Sequence, residues 1–207
     1  MESEKIKIFD KDRNELGVAT REEVHKFGYW HETFHCWFIA REEEIDYIYF
    51  QIRSDTKKDY PNLLDITAAG HILAHETVYD GVREIKEEVG IDISMNELIS
   101  LGLIEYCVIR EEFVDKELAH TFLYLSKHGF NEYELQKEEV SGIVRSKFND
   151  FYEFCMGDKE EIRIQGFQID KNEKRKPLNQ LVNIDNFVPH EASFYKKIAH
   201  LISKHLR

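Results

Sequence analysis

Apolar and polar residues alternate along several stretches of the chain, with the two-residue period that is typical of β-strands. Residues 5–10 (KIKIFD) show this pattern first, and a turn is expected over residues 11–17 (KDRNELG). Residues 19–28 (ATREEVHKFG) predict a short helix. Two longer strands are then expected at residues 31–41 (HETFHCWFIAR) and 46–54 (DYIYFQIRS), joined by a hairpin loop of glutamates.

The rest of the chain continues with strands and adds few helices. Residues 55–64 are expected to form a loop, and residues 64–72 (LDITAAGHI) a strand that enters a glycine turn. Further strands, the first two joined by an acidic loop, are predicted at residues 97–112, 117–127, 141–147 and 161–170. The other predicted elements are two helices and a basic loop, at residues 149–157, 191–206 and 171–180.

Strands mixed with few helices favour an α+β fold, in which helices pack on a mixed sheet. The chain has 207 residues, enough for one domain with a substantial core. We expect that domain to span residues 1–148. Residues 149–207 are expected to form a C-terminal extension that packs on the same domain.

Residues 76–89 (ETVYDGVREIKEEV) predict a helix that ends at Gly90. Thr77 is expected to cap its start, with Asp80 as the second half of an imperfect capping box. The apolar residues of this segment recur at helical spacing and are expected to face the core; they are Val78, Val82, Ile85 and Val89.

Three glutamates of this helix, Glu84, Glu87 and Glu88, stand at spacings that place them on one helical face. Like charges at this spacing repel one another, and the adjacent Arg83 cannot neutralise all three. A hard divalent cation such as Mg²⁺ would resolve the repulsion, because it is bound by a few carboxylates together with substrate phosphates. A solvated acidic face is the alternative explanation of the same pattern.

The acidic composition narrows the classes of function. A net charge of -12 argues against a general nucleic-acid-binding protein, which would need a basic footprint. A phosphate-bearing substrate stays compatible, because a bound metal inverts the local field. The scattered cysteines form no CxxC pair, which favours a cytoplasmic location. The N-terminal residues lack the apolar region of a signal peptide, and no apolar run reaches membrane-span length.

The stretch GHILAHETVYDGVREIKEEVGI, residues 70–91, resembles the Nudix box, G-x5-E-x7-R-E-U-x-E-E-x-G-U, where U is aliphatic. Gly70 and Glu76 match its opening. Its close is matched by Arg83, Glu84, Ile85, Glu87, Glu88, Gly90 and Ile91. The chain departs from the motif at one place, because six residues rather than seven separate Glu76 from Arg83.

The resemblance implies a Nudix α/β/α sandwich around a mixed sheet. It also implies hydrolysis of a diphosphate bond in a nucleoside diphosphate derivative or related organic diphosphate, with Mg²⁺ or Mn²⁺. Glu84, Glu87 and Glu88 would be the metal ligands, and Arg83 would hold the glutamates by charge-assisted hydrogen bonds. The general base would be one of these glutamates or a glutamate outside the box. Glu117, expected at the mouth of a strand, is the outside candidate.

The surroundings also resemble type I isopentenyl diphosphate isomerase, a relative with the same fold. GYWHETFHCWF is similar to its early histidine segment, TAAGH to its C-G-H turn, and VDKELAHTF to its E-x-E strand. The metal-binding positions that this resemblance implies are His25, His31, His71, Asp115 and Glu117. For His31 and His71 the alternative is a hydrogen-bonded structural role. His120 is a weaker candidate on the same strand as Glu117.

The residue before Gly70 separates the two resemblances. The isomerase carries its reactive thiol there, whereas this chain has Ala69, which cannot transfer a proton. We therefore expect a metal-dependent hydrolase acting on a small-molecule diphosphate. An isomerase-like enzyme and a catalytically silent binding module with the same fold are the alternatives.

Overall fold

The computed structural model describes residues 4–110 and 113–206. The strands are β1 (Lys5–Phe9), β2 (Glu15–Thr20), β3 (Trp30–Glu42), β4 (Ile45–Arg53), β5 (Leu64–Asp65), β6 (Ala68–His71), β7 (Leu98–Arg110), β8 (Phe113–Leu125), β9 (Val140–Lys147), β10 (Ile162–Ile169) and β11 (Arg175–Val182). The helices are α1 (Arg21–Phe27), α2 (Arg83–Val89), α3 (Phe148–Met156) and α4 (Ala192–Ser203). Within the described ranges, none of these helices is both long enough and apolar enough to span a bilayer.

The sheet is mixed, as expected. Its strand order is β11-β10-β9-β4-β3-β1-β2, with β5 paired to β4, β6 and β8 to β3, and β7 to β8. β3 and β8 run parallel to each other, and the other pairs of these strands are antiparallel. Strand β3 therefore lies at the centre, where it meets strands from distant parts of the chain.

Side chains of β3 alternate between two apolar layers, one on each face of the sheet. Phe34 and Phe38 pack in a cluster with Ile85 and Val89 of α2. Trp37 packs in the opposite cluster, which contains the buried residues of α3 and α4. Helices α2, α3 and α4 thus bury their apolar sides against the two faces of the sheet, and the predicted α+β sandwich around a mixed sheet is confirmed.

Helix α1 forms as the sequence predicts, with both ends capped. The Thr20 side chain accepts a hydrogen bond from the Glu23 backbone N–H (3.3 Å), and the Glu23 carboxylate accepts one from the Thr20 N–H (2.9 Å). At the other end Gly28 has φ 65°, a left-handed conformation that glycine adopts without steric cost. These caps fix the short helix that carries His25.

Two predicted loops are strands instead. The predicted turn at residues 11–17 gives way to β2 at Glu15, because the segment pairs with β1 in a hairpin. The predicted basic loop at residues 171–180 is largely β11, which pairs along its length with β10. Both are edge strands with largely exposed side chains, so neither shows a regular alternation of apolar residues.

The glutamate helix is shorter than the prediction of residues 76–89. The α-helix begins at Arg83, after a single 3₁₀ turn at Asp80–Val82. Thr77 does not cap it; instead the Thr77 N–H and hydroxyl both donate to the Asp80 carboxylate at 2.8 Å. Such local side-chain bonds compete with helical hydrogen bonding. The predicted helix end at Gly90 is confirmed, and this residue has φ 76°.

The predicted acidic loop after β7 lies partly outside the described residues. The part that is described shows β8 beginning at Phe113, four residues before the predicted start at Glu117. Beyond β9, α3 and α4 pack in one apolar cluster, and β10 extends the sheet by pairing with β9. The division of the chain at residue 148 into a domain and an extension stays a prediction.

Candidate functional site

A cavity of about 460 Å³ opens beside the glutamate helix. Its walls come from α1, β3, β6, α2, β7, β8, the loop of residues 54–63 and the segment before α4. The predicted site residues lining it are His25, His71, Arg83, Glu84, Glu87, Glu88, Asp115 and Glu117. The fold thus brings residues from both resemblances to one cavity.

Arg83 holds the acidic end of the cavity together. Its Nε and Nη2 donate to the two carboxylate oxygens of Glu76 at 2.6 and 2.9 Å. Its Nη1 donates to Glu84 at 2.7 Å and to Glu87 at 2.9 Å. Nη2 also donates to the His71 carbonyl at 3.2 Å. Charge-assisted bonds of this kind are the strong ones in proteins, so Arg83 fixes the orientation of its partners.

The shortened spacing after Glu76 does not remove this residue from the network. Glu76 is buried, and besides the fork from Arg83 it accepts a hydrogen bond from the Leu73 N–H at 2.8 Å. The 3₁₀ turn at Asp80–Val82 leads directly into Arg83, at the start of α2. Glu76 therefore acts as the anchor of Arg83.

Two of the three glutamates of α2 have side chains that are largely shielded from solvent. The Glu84 side chain is 13% exposed, and burial, with the nearby Glu87 charge, raises its pKa to about 7 although Arg83 opposes the shift. Glu88 is buried, and burial together with the Glu84 charge raises its pKa well above its usual value. Glu88 accepts bonds from Gln51 Nε2 (3.2 Å) and the Ala69 N–H (2.9 Å).

These positions decide between the two explanations of the acidic face. A solvated face describes Glu87, whose side chain is 52% exposed, but not Glu84 or Glu88. Gly70 shows how closely the backbone approaches, since a Cβ there would lie 2.1 Å from the Glu84 carboxyl carbon. Only glycine leaves room for that carboxylate beside β6.

A second cluster lies at the other end of the cavity. Nitrogen atoms of His25, His31 and His71 all lie within 4.8 Å of one another, and one ligand atom each of His31, Asp115 and Glu117 is grouped equally closely. The rings of His31 and His71 stack with centroids 5.1 Å apart. The register places His31 of β3 opposite Glu117 of β8, so the parallel strand pair assembles this cluster.

Several polar atoms of the cluster have no hydrogen-bond partner among the described residues. They are Nε2 of His31, Nε2 of His71 and Oδ1 of Asp115. Oδ1 of Asp115 nevertheless lies 3.5 Å from Nε2 of both His25 and His31, which is an ion-pair distance without hydrogen-bond geometry. His31 Nδ1 lies 3.2 Å from the Tyr29 carbonyl, which only accepts, so Nδ1 carries the proton and Nε2 keeps a lone pair. Burial lowers the pKa of His31 to about 4 and that of His71 well below its usual value. Burial therefore favours the neutral form of both rings, which is the form that ligates a metal.

Comparison with known proteins identifies the family. No family model matches the chain. An uncharacterized Nudix hydrolase of Clostridium acetobutylicum is 39% identical over 201 residues, which are 95% of each chain. The protein is a Nudix hydrolase. Nudix hydrolase 3 of Arabidopsis thaliana is 29% identical over 160 residues, which are 74% of this chain and 20% of that protein.

Solved structures share the fold at low identity. The Nudix hydrolase RenU from M. smegmatis matches 96% of this chain and 94% of its own, with a TM-score of 0.53 and 8% identity. A MutT protein from Methanosarcina mazei matches 86% of this chain and 96% of its own, with a TM-score of 0.52 and 13% identity. These likenesses support the Nudix fold alone.

Glu117 occupies a different place from the strand mouth predicted for it. It lies inside β8, where its side chain is 12% exposed and lines the cavity of the Nudix hydrolase. Its Oε2 lies 3.0 Å from His35 Nε2 and accepts from the Thr33 hydroxyl at 3.1 Å. Burial alone would raise the pKa of Glu117, but the His35 charge and hydrogen bond hold it below its usual value.

His35 is a site residue that the sequence reasoning missed. His31, Thr33 and His35 alternate along β3, so the two-residue period places them on one face. Their partners on β8 become apparent only from the pairing of the two strands. By contrast, His120 contacts Glu32 at 2.9 Å and is not among the described residues that line the cavity.

The structure also shows whether a cysteine takes the place of the isomerase thiol, where this chain has Ala69. Ala69 of β6 lines the cavity, as the sequence comparison with the isomerase expects. The cysteines are elsewhere: Cys36 and Cys155 are buried, Cys107 is half-buried, and none of them lines this cavity in the described part of the chain. No thiol therefore replaces the one absent at residue 69.

Proposed function

We propose that this Nudix hydrolase cleaves a diphosphate bond in a nucleoside diphosphate derivative or related organic diphosphate, with Mg²⁺ or Mn²⁺. The observation that carries the proposal is the pair of carboxylates, Glu84 and Glu88, which lie side by side in the box and whose pKa values are raised chiefly by burial. Carboxylate oxygens are the ligands that Mg²⁺ prefers.

The residues present fit such a cation. Glu84, Glu87 and Glu88 would hold it, with Glu84 and Glu87 already sharing Arg83 Nη1 as a donor. When bound, the cation neutralises diphosphate oxygens and lowers the pKa of the attacking water. Among the described residues these three are not a group whose ligand atoms all lie within 4.8 Å, so the proposed site includes water and substrate oxygens.

The protein groups have separate roles in the proposed reaction. Hydrolysis forms one P–O bond from water and breaks the bridging P–O bond, and the water proton passes to a carboxylate. We assign that proton to one of Glu84, Glu87 and Glu117, which line the same cavity. Arg83 keeps Glu84 and Glu87 in position through the bonds described above.

We propose the histidine cluster as a second cation position. Its donor set of imidazole nitrogens and carboxylates suits a transition metal such as Mn²⁺ better than Mg²⁺. Nε2 of His31 and of His71 makes no hydrogen bond among the described residues, which supports this assignment. Oδ1 of Asp115 supports it too, because it lies 3.5 Å from Nε2 of His25 and of His31 without hydrogen-bonding to either. Glu117 would complete the set, with His35 orienting its carboxylate.

Release of products from a panel of organic diphosphates tests the function. Purified protein with Mg²⁺ or Mn²⁺ is expected to release phosphate or a monophosphate from at least one compound, and Glu88→Gln is expected to lose this activity. Glu161→Gln, at an exposed site outside the cavity, serves as the matched control. Tight binding of a diphosphate without turnover would instead favour a binding module.

The isomerase-like alternative is supported by one observation, the gathering of His25, His31, His71, Asp115 and Glu117. Against it stands Ala69, since losing a placed general acid costs about 10²–10⁴ in rate. Incubation with isopentenyl diphosphate and Mg²⁺ is therefore expected to give no efficient conversion to dimethylallyl diphosphate. Efficient conversion would overturn the hydrolase assignment.

A further inference from the structure

The C-terminal part of the chain supplies a wall of the cavity. Val188 and His190, which lie between β11 and α4, both line it. The Val188 N–H donates to the Leu64 carbonyl at 2.9 Å, and Phe187 forms a parallel bridge with Leu64. These contacts hold the segment alongside β5. The segment thus contributes to the cavity although it is distant in sequence from the Nudix box.

His190 is held rigidly in this wall. Its side chain is 8% exposed, and Nε2 lies 3.4 Å from Oδ1 of Asp65, which is also buried. Its ring packs among Tyr106, Phe194 and Tyr195, with centroid distances of 4.8, 4.7 and 5.3 Å. Since a carboxylate only accepts, Nε2 carries the proton in this contact.

Asp65 is connected through Arg53 to the loop of residues 54–63. Asp65 Oδ2 accepts from Arg53 Nη1 at 2.8 Å. Arg53 Nε and Nη2 donate to the Asp59 carbonyl at 3.1 and 2.9 Å. His190, Asp65 and Arg53 therefore form a continuous chain of polar contacts from the C-terminal segment to the loop.

The loop needs such support. Tyr60 has φ 54°, a conformation that a bulky residue adopts only when its surroundings impose it, whereas Asn62, with φ 64°, is of a type that tolerates this region. The loop also places Lys57 in the cavity, where its ammonium group pairs with the Glu139 carboxylate and its positive charge also acts on Glu88. A change in loop position would therefore move a cation beside the proposed diphosphate site.

We propose that His190 is a substrate-positioning residue, which acts through Asp65 and Arg53 to hold the loop of residues 54–63, with Lys57, beside the diphosphate. The inference rests on the proposed function for its substrate. It makes the segment before α4 part of the active site, rather than only a support for the core.

Two substitutions separate the hydrogen bond from the packing. His190→Phe keeps an aromatic ring among its neighbours but removes the donor to Asp65, whereas His190→Gln keeps an N–H donor. We expect His190→Phe to raise KM for the diphosphate substrate about tenfold, which is within the range for a residue that affects a binding site only through its neighbours, with little change in kcat. His190→Gln is expected to restore most of the affinity.

Ile198→Val provides a stability control. Ile198 is a fully buried residue of α4 in the core cluster, outside the cavity. This variant is expected to lower Tm without changing KM. If Ile198→Val and His190→Phe raise KM equally, His190 has only a structural role and the proposal is wrong.

Two measurements are independent of turnover. Tryptic cleavage after Lys57 or Lys58, followed by mass spectrometry, is expected to be faster in His190→Phe than in wild type or Ile198→Val. Calorimetry with inorganic pyrophosphate and Mg²⁺ is expected to show about tenfold weaker binding to His190→Phe. Unchanged cleavage together with unchanged binding would overturn the proposal. Absence of turnover in wild type would overturn the proposed hydrolysis while leaving both measurements valid tests of His190.

Discussion

The two ends of the cavity are both rich in ionisable groups but satisfy them in different ways. At the α2 end, one guanidinium joins three carboxylates, Glu76, Glu84 and Glu87, into a single network. At the β3–β8 end, Nε2 of His31 and of His71 makes no hydrogen bond among the described residues, and the Asp115 carboxylate faces histidine rings at 3.5 Å instead of a guanidinium group. The first end is organised by the protein itself, whereas the second has the composition of a site organised by its ligand.

The difference follows from where the residues come from. The α2 end is built largely within one short segment, and helical i,i+4 spacing brings Arg83 to Glu87, while Glu84 is adjacent to Arg83 in sequence. The β3–β8 end is built from strands distant in sequence, and its groups meet only through the register of a parallel pair. Substituting one group at each end therefore tests separately a cluster formed by residues close in sequence and a cluster formed by strands distant in sequence.

Removal of divalent cations should have the largest effect, because both ends are proposed to bind them. We expect excess chelator to abolish turnover and added Mg²⁺ or Mn²⁺ to restore it. The measurement is product release before chelation, after it, and after metal is returned. Undiminished activity in excess chelator would contradict the proposed metal dependence at both ends.

Neutralising a glutamate of the Nudix box should remove the catalytic contribution of the α2 end. For Glu87→Gln and Glu88→Gln we expect kcat to fall by about 10²–10⁴, since each removes a proposed metal ligand or base. The thermal unfolding temperature should stay close to that of wild type for Glu87→Gln, whose side chain is 52% exposed. A fall in kcat no greater than that of Glu161→Gln would return these residues to an ordinary acidic face.

Glu117→Gln tests the β3–β8 end. We expect a fall in kcat of about 10²-fold with a smaller change in KM, because a group that acts in the transition state affects turnover most. Far-ultraviolet circular dichroism should show that the fold is retained. Near wild-type kinetics would mean that only the α2 end takes part in the chemistry.

Part of the α2 end could be predicted from the sequence. The sequence pattern correctly indicated the helix end at Gly90. The bonds that the Nudix resemblance implies from Arg83 are present to Glu84 and Glu87 but not to Glu88, which accepts from Gln51 and the Ala69 N–H instead. The prediction was wrong at the helix start, because Thr77 does not cap α2, although the Asp80 carboxylate accepts the Thr77 N–H as the predicted capping box requires. Local spacing is reliable only where no side chain competes for the backbone.

The non-local contacts could not be read from the sequence. His35 is bonded to Glu117 across the parallel pair, and His190 to Asp65 across most of the chain. No spacing rule links residues so far apart, and a single sequence carries no signal of strand register at these positions. The resemblance to the isomerase did identify His25, His31 and His71, which the structure brings together.

The smallest expected effect concerns stability at the α2 end. Burial raises the pKa of Glu84 to about 7 from its ordinary 4.5, so the folded protein binds this proton more tightly than the unfolded chain. The resulting stability is present below about pH 4.5 and is lost as pH rises through 7. In metal-free protein, Glu84→Gln should therefore gain about 1–3 kcal/mol over wild type at pH 8 but little at pH 4.5.

Thermal unfolding of metal-free wild type and Glu84→Gln at the two pH values measures this difference. Glu161→Gln, exposed and outside the cavity, should show no comparable change with pH. An advantage of Glu84→Gln that is equal at both pH values would mean that packing, not ionisation, is responsible. The neutral glutamine can still accept the hydrogen bond that Arg83 donates to Glu84.

The position of β3 at the centre of the sheet has a consequence for how the chain is made. Residues 33–40 of this strand are all buried in the finished fold, yet residues 30–39 pair with residues 116–125. During synthesis, a hydrophobic segment therefore leaves the ribosome long before its parallel partner exists. Pairings between strands distant in sequence slow folding, and they prolong the time for which aggregation-prone hydrophobic segments are exposed. Chaperone demand should accordingly be concentrated on nascent chains that end between β3 and β8.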